Sequence, residues 1–139
     1  MLGFRKTIKL LTYLAIAYPA FGEELVRLDK IKVEAFDENT PTVSLFITEA
    51  CSVCDRQVSV LNQCLEGKEV VAFLEGPQEE KLRRTVARKK IPFKTYLLNQ
   101  SLKKRLGFAN VSPALRIKTS KGFIVLSGLQ SCETIKSQL

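Results

Sequence analysis

Two cysteines, Cys51 and Cys54, stand where a predicted buried strand gives way to a predicted amphipathic helix. Residues 43–47 are almost continuously apolar, which is typical of a strand that is buried on both faces of a sheet. Residues 52–65 contain neither glycine nor proline and are followed by Gly67, a natural helix stop. This corner constrains the fold most, because the pair must be accommodated at the first turn of a helix.

The remaining hydrophobic pattern predicts strands and helices in near alternation. Further strands are predicted over residues 31–35, 69–74 and 93–98, and a hairpin over residues 114–127. Further helices are predicted over residues 78–90, 101–107 and 131–138, with Ser101 and Ser131 as N-caps. A strand, helix and strand in succession imply a parallel crossover, whereas the hairpin adds antiparallel strands. The sequence therefore predicts an α/β domain with a mixed central β-sheet and helices on both faces.

Composition excludes several kinds of site and partner. The chain has no histidine, which excludes Ser-His-Asp triads, Cys-His nucleophile pairs and zinc or haem sites that need histidine. Residues 81–105 contain ten basic and no acidic residues. Because helix 78–90 carries its charges around most of its circumference, we interpret this run as a solvated surface and expect no nucleic-acid partner. Docking of an acidic protein is the alternative.

Residues 1–22 have the layout of a secretory signal. A basic start is followed by the apolar run 10–21, which is shorter than the roughly 20 residues of a membrane-spanning helix. We expect cleavage after Gly22, with cleavage after Ala17 as an alternative, which leaves one domain over residues 23–139. The other interpretation is an uncleaved N-terminal membrane anchor. A periplasmic or otherwise extracytoplasmic location follows, and disulfides persist there.

The placement of the cysteine pair favours redox chemistry. The free N–H groups and the dipole of a helix N-terminus stabilise a negative sulfur, and the thiolate is the species that attacks a disulfide. Cys51 is therefore the candidate attacking thiol, and Cys54, one turn deeper on the apolar face, is the candidate resolving thiol. Two alternatives remain from the residues alone, namely half of a Cys₄ zinc site and an inert structural disulfide.

The other two cysteines, Cys64 and Cys132, lie outside this motif. We expect Cys64 to be a small buried apolar residue near the far end of its helix. Cys132 would begin the last helix near the opposite, active-site edge, which makes a Cys64–Cys132 bridge geometrically awkward. A third redox thiol at Cys132 is the remaining alternative.

The chain resembles the thioredoxin-like superfamily across residues 28–139. The matching features are the strand 43–47, the motif Cys51-Ser52-Val53-Cys54, Pro113 before a strand, and the segment Lys121-Gly122-Phe123-Ile124-Val125. The long spacing from Cys54 to Pro113 is similar to that of the extracytoplasmic TlpA-like branch, which has a central helix–strand insertion. The segments around Cys51 and Cys132 look most similar to MauD-like thiol-disulfide interchange proteins.

The resemblance implies a three-layer thioredoxin-like sandwich in which Pro113 is cis. It also implies that the backbone of Ser112 lies against the cysteine pair and binds a substrate segment as an added strand. Three positions depart from the common pattern: Ala50 replaces a frequent tryptophan, Leu45 a buried acid, and Ala114 a threonine. Without an acid at position 45, Cys54 needs another group to remove its proton, and Glu49 is the nearest acid in sequence.

These observations together predict an exported thiol-disulfide oxidoreductase, of reductase or isomerase type, that acts on cysteines of exported proteins. The predicted catalytic residues are Cys51 and Cys54, and the predicted substrate-binding residues are Ser112 and Pro113. We expect neither a cofactor nor a metal, and a membrane or soluble redox partner that resets the pair. The alternatives are a non-catalytic binding module with a structural disulfide and a metal-binding chaperone.

Overall fold

A computed structural model describes residues 23–139, and the predicted signal segment 1–22 lies outside this range. The strands are β1 (Glu23–Val26), β2 (Val33–Phe36), β3 (Val43–Thr48), β4 (Val70–Glu75), β5 (Lys94–Leu97), β6 (Ala114–Thr119) and β7 (Gly122–Ser127). The helices are α1 (Ser52–Cys64), α2 (Glu79–Lys89), α3 (Gln100–Leu106) and α4 (Cys132–Gln138). No helix in this range is long and apolar enough to cross a membrane.

Five strands form a mixed sheet in the order β5-β4-β3-β6-β7. The neighbours β3, β4 and β5 are parallel, whereas β6 is antiparallel to both β3 and β7. Strand β3, whose residues 43–47 are buried, lies at the centre, as its mainly apolar sequence predicts. The unit α2–β5 adds the outermost parallel strand and corresponds to the central helix–strand insertion expected from the sequence.

Helices cover both faces of the sheet, which confirms the predicted three layers. On one face, side chains of α1, α2 and α4 such as Leu61, Leu82 and Ile135 are fully buried against β3 and β6. On the other face, α3 and the hairpin β1–β2 cover an aromatic cluster in which the rings of Phe36 and Phe73 meet edge to face at 5.3 Å. The core thus holds the carboxyl end of β3 rigidly.

The N-terminal hairpin differs from the sequence prediction. Strand β1 was not predicted, and the apolar residues of 31–35 do not form the buried face, because Ile31 is 96% and Val33 57% exposed. Instead Phe36 is buried and Glu34 faces inward, where Arg27 and the Tyr96 hydroxyl bind its carboxylate. A charge that is paired and hydrogen-bonded can occupy an inner position that alternation assigns to an apolar residue.

The N-caps are partly as predicted. Ser131 caps α4, because its hydroxyl accepts a hydrogen bond from the Thr134 N–H at 3.2 Å. Helix α3 begins earlier than predicted, because its N-cap is Asn99, whose side chain accepts from the Leu102 N–H at 2.8 Å. Asparagine is at least as good an N-cap as serine, so the stronger cap two residues upstream of Ser101 sets the boundary.

The expectation that Cys64 and Cys132 lie too far apart is wrong. They form a disulfide with a Cα–Cα distance of 5.5 Å. The buried side chain of Gln57 binds both the N–H and the carbonyl of Gln130, which anchors the short segment between β7 and α4 to α1. This contact carries the start of α4 to the carboxyl end of α1, where Cys64 is the last helical residue.

Candidate functional site

The cysteine pair lies at the junction between β3 and α1, as the sequence predicts. Cys51 is the N-cap of α1 with an extended backbone, and its sulfur accepts a hydrogen bond from the Cys54 N–H at 3.1 Å. The two cysteines form a disulfide with a Cα–Cα distance of 5.2 Å. The cap position brings both sulfurs together without distorting the helix, because Cys51 is outside the regular helical backbone.

The two sulfurs differ in their access to solvent. Cys54 is fully buried in the core beneath α1, whereas Cys51 is half-buried and lies between the exposed residues Ala50 and Ser52. A thiol of another protein can therefore approach the pair only from the side of Cys51. This asymmetry fits the two predicted roles, an attacking thiol at the surface and a resolving thiol behind it.

The loop before β6 lies directly against Cys51. The Ser112–Pro113 peptide bond is cis, and the Cys51 sulfur lies 3.9 Å from the Ser112 carbonyl oxygen. The hydroxyls of Ser112 and Thr48 hydrogen-bond to each other at 2.8 Å, which joins this loop to the end of β3. The structure thus brings all four sequence-predicted site residues together, and Thr48 is an additional residue of the site.

Lys103 of α3 binds the same loop on the side opposite Cys51. Its buried ammonium donates a hydrogen bond to the Asn110 side chain at 2.5 Å and lies 2.7 Å from the Glu75 carboxylate at the end of β4. The Gly128 N–H also donates to the Pro113 carbonyl at 2.7 Å. These contacts fix the peptide beside Cys51 relative to the sheet, so a bound segment would meet a preformed edge.

Lys89 and Asp55 place charges beside Cys51 that the sequence did not single out. Lys89 of α2 donates to the Cys51 carbonyl oxygen at 3.3 Å and to the Asp55 carboxylate at 2.6 Å. Glu49, the acid considered as a helper for Cys54, is instead paired with Lys81 at 3.6 Å. Lys89 lies within a run of basic residues that look alike in sequence, and no pattern distinguishes it from its neighbours.

The acidic and cysteine side chains of residues 23–139 do not converge on a metal site. No group of three or more histidine, cysteine, aspartate or glutamate residues in this range could hold a metal ion. All four cysteines are joined in disulfides. What the arrangement offers chemically is a reversible S–S bond with one accessible sulfur and a peptide edge beside it.

Comparison with solved structures places the fold. A secreted disulfide oxidoreductase of Mycobacterium tuberculosis that is homologous to E. coli DsbE matches with a TM-score of 0.65 at 15% identity, over 85% of this chain and 94% of that chain. A thiol:disulfide interchange protein DsbE from Chlorobium tepidum gives a TM-score of 0.64 at 18% identity, over 84% and 89% of the two chains. StoA from Bacillus subtilis gives 0.61 at 13% identity, over 84% and 94%.

The sequence comparisons add no relative. No protein-family model matches the chain, and no curated protein matches it. The structural matches cover nearly the whole described domain and confirm the thioredoxin-like fold that the sequence resemblance implies.

Proposed function

We propose that this chain, which has the thioredoxin-like fold, is a thiol-disulfide oxidoreductase that acts on the cysteines of exported proteins. The observation that carries the proposal is the Cys51–Cys54 disulfide at the N-terminus of α1, with the half-exposed Cys51 sulfur 3.9 Å from the carbonyl of the cis Ser112–Pro113 peptide. The solved structures with the same fold include a disulfide oxidoreductase and a thiol:disulfide interchange protein, which supports this chemistry.

In the reducing direction the reaction starts from the dithiol form. The Cys51 thiolate attacks one sulfur of a substrate disulfide, an S–S bond forms between protein and substrate, and the other substrate sulfur leaves as a thiolate. The Cys54 thiolate then attacks the Cys51 sulfur and releases the second substrate thiolate. Two electrons have passed to the substrate, and the protein is left with the Cys51–Cys54 disulfide. The reverse sequence oxidises a substrate dithiol.

The helix N-terminus supports the first step. The Cys54 N–H that points at the Cys51 sulfur at 3.1 Å would form a charge-assisted hydrogen bond with the thiolate. Cys54 reaches only Cys51, because its side chain is fully buried, and is therefore restricted to the resolving step. Leu45 is fully buried on β3 and supplies no acid, so the proton of the Cys54 thiol must leave through another route.

Substrate binding is assigned to the backbone before β6. Ser112 is half-buried and Val111 is 47% exposed, so the peptide edge beside Cys51 is open to an extended chain. Main-chain hydrogen bonds to Ser112 would align a substrate cysteine with Cys51 and tolerate many sequences. Pro113, which is buried and has no N–H, directs the Ser112 carbonyl toward the cysteine pair.

An extracytoplasmic location and a reductase or isomerase role complete the proposal. The basic and apolar residues 1–22 support export, and the second disulfide, Cys64–Cys132, is of a kind that persists in oxidising compartments. The absence of histidine between the two cysteines of the motif favours reduction or isomerisation over strong oxidation. A membrane or soluble redox partner would then return electrons to the pair after each turnover.

Reduction of insulin by the full chain, with dithiothreitol as electron donor, tests the proposal. Cys51→Ser is expected to reduce turnover at least a hundredfold, because the attacking thiolate is lost. Cys54→Ser is expected to accumulate mixed disulfides with substrate, visible as thiol-sensitive adducts on non-reducing gels. The double variant Cys64→Ser/Cys132→Ser is the matched control and should retain activity at a temperature at which circular dichroism shows that it is folded. Wild-type rates in both motif variants would refute the proposal and favour a binding module with a structural disulfide.

A further inference from the structure

We propose that Lys89, contributed by the insertion helix α2, is a positioning residue that holds the backbone of Cys51 and stabilises the negative charge of its sulfur in the reduced site. This inference rests on the proposed function, since it concerns the attacking thiol. Lys89 is the last residue of α2 and belongs neither to the Cys-x-x-Cys motif nor to the loop of Pro113.

The side chain of Lys89 is placed differently from those of its basic neighbours. It is 7% exposed, and its ammonium donates to the Cys51 carbonyl oxygen at 3.3 Å and to the Asp55 carboxylate at 2.6 Å. The adjacent Arg88 is exposed. A buried ammonium is unfavourable unless hydrogen bonds and an opposite charge compensate it, so this position is specified by its two partners.

The ammonium is close enough to act on the sulfur. The carbonyl oxygen and the sulfur of Cys51 belong to one residue, so the Lys89 nitrogen lies within about 8 Å of the sulfur. That distance is about one Debye length at physiological ionic strength, and partial burial reduces the screening further. A positive charge at this range favours the thiolate over the thiol.

The other charges around Cys51 act mostly in the opposite direction. Asp55, one turn into α1, and Glu49, two residues before the motif, carry negative charge and disfavour the thiolate. Lys89 neutralises the first and Lys81 pairs with the second, but the Lys81 side chain is 59% exposed and its charge is well screened. The loop residues 111–113 carry no charge. Behind that loop, the buried ammonium of Lys103 is paired with the Glu75 carboxylate. Lys89 is thus the buried cation that contacts Cys51 itself and offsets the carboxylates near the sulfur.

The test is the pH dependence of Cys51 alkylation in the full chain carrying Cys54→Ser, with iodoacetamide as the probe. In this variant Cys51 is the free thiol, while Cys64 and Cys132 remain in their disulfide. The alkylation rate follows the thiolate fraction and gives the thiol pKa directly. Adding Lys89→Met is expected to raise that pKa by about half to one unit, which slows alkylation at a pH below both values by about three- to tenfold.

Two further variants separate this role from a merely structural one. Lys89→Arg keeps the charge and should keep the half-point of the alkylation profile, which is the pKa of the Cys51 thiol, near that of the parent. Arg88→Met removes a charge from the same helical turn and should leave the half-point unchanged. A Lys89→Met pH profile identical to that of the parent would overturn the inference, because Lys89 would then have no effect on the Cys51 pKa. An equal shift in Arg88→Met would also overturn it, because the effect would then come from the overall positive charge of the helix.

If Lys89→Met does not fold, as circular dichroism would show, Asp55→Asn provides the answer. It retains the ammonium and removes the nearest carboxylate, so the half-point is expected to fall, and an unchanged half-point would contradict the electrostatic role of this pair. Failure of the proposed function is a separate outcome. It would appear as a wild-type chain without disulfide-exchange activity, whereas the alkylation profile requires no substrate turnover.

Discussion

The two disulfides of this chain are attached to opposite ends of the same helix, α1, and differ in nearly everything except the bond itself. Their Cα–Cα distances are 5.2 and 5.5 Å. The first links residues three positions apart at the N-terminus of the helix, whereas the second links residues 68 positions apart, starting from its last residue. Since the Cα–Cα distances are similar, any difference in behaviour between the two bonds must come from their surroundings.

The helix itself contributes to this difference. At the N-terminus, the dipole and the Cys54 N–H stabilise a thiolate on Cys51, which makes reduction of that bond easier. At the carboxyl end, the dipole disfavours a thiolate on Cys64. Closure of the long loop between Cys64 and Cys132 restricts the unfolded chain, so this bond stabilises the fold, and the fold in turn holds the two sulfurs together against reduction. Under the proposed function, one α-helix holds a redox-active disulfide at its N-terminus and a structural one at its carboxyl end.

Removal of the second disulfide gives the largest expected effect on stability. Cys64→Ser/Cys132→Ser should lower the free energy of unfolding by about 4 kcal/mol, because closure of so long a loop restricts the unfolded chain strongly. Cys51→Ser/Cys54→Ser should lower it by about 2 kcal/mol at most. Urea denaturation of both double variants and the parent, without reductant, measures the difference. Equal losses, or the reverse order, would break the comparison.

Reduction potentials should separate the two bonds as well. In glutathione or dithiothreitol buffers of graded potential, the Cys51–Cys54 bond is expected to open first, by at least about 60 mV, which corresponds to about 2.8 kcal/mol. Thiol labelling followed by peptide mass analysis assigns each opening to its cysteine pair. The structural bond should be reduced only below about −300 mV. Reduction of both bonds at the same potential would mean that the two ends of α1 do not affect the stability of their disulfides differently.

The end of α1 that carries Cys51 and Cys54 was predictable from sequence because its determinants are local. The apolar run of β3, the cysteines at the next helix start and the proline before β6 each follow from residue types and short spacings. The cis Ser112–Pro113 bond and its contact with Cys51 followed from the family resemblance. Strongly periodic segments specify their own elements, and the sheet then brings the loop ends together.

The structural end was not predictable because its determinants are tertiary. The position of Cys132 depends on the path of the chain after β7, which Gln57 fixes by binding the backbone of Gln130. A glutamine three residues after Cys54 indicates a place on the buried helix face but not its partner. Lys89 was missed for a similar reason: it is one of ten basic residues between positions 81 and 105, and no sequence pattern distinguishes it from the others.

The smallest expected effect uses acid, which leaves both disulfides intact and acts on the hairpin β1–β2. Hydrogen bonds from Tyr96, and from Lys32 and Arg27, lower the pKa of Glu34 to about 2, below its ordinary value of 4.5. Because the folded-state pKa is depressed, this carboxylate stabilises the fold fully above about pH 4.5, and the contribution is lost as the pH falls through about 2. Glu34→Gln should therefore lower the free energy of unfolding by about 1–2 kcal/mol at pH 7 and by almost nothing below pH 2. The figure at pH 7 allows for solvent screening, since the Glu34 side chain is partly exposed.

Urea denaturation between pH 7 and pH 2 compares this variant with its control. Glu24→Gln, which removes an exposed carboxylate from the same hairpin, is expected to leave the pH dependence unchanged. The Glu34 effect should also persist at the same size in Cys64→Ser/Cys132→Ser. The buried strand residues of the hairpin, Leu25 and Phe36, pack in a different hydrophobic cluster from the one that Cys64 contacts, on the other face of the sheet. A smaller Glu34 effect in that background would show that the disulfide also stabilises the hairpin face, and its role would extend beyond the end of α1.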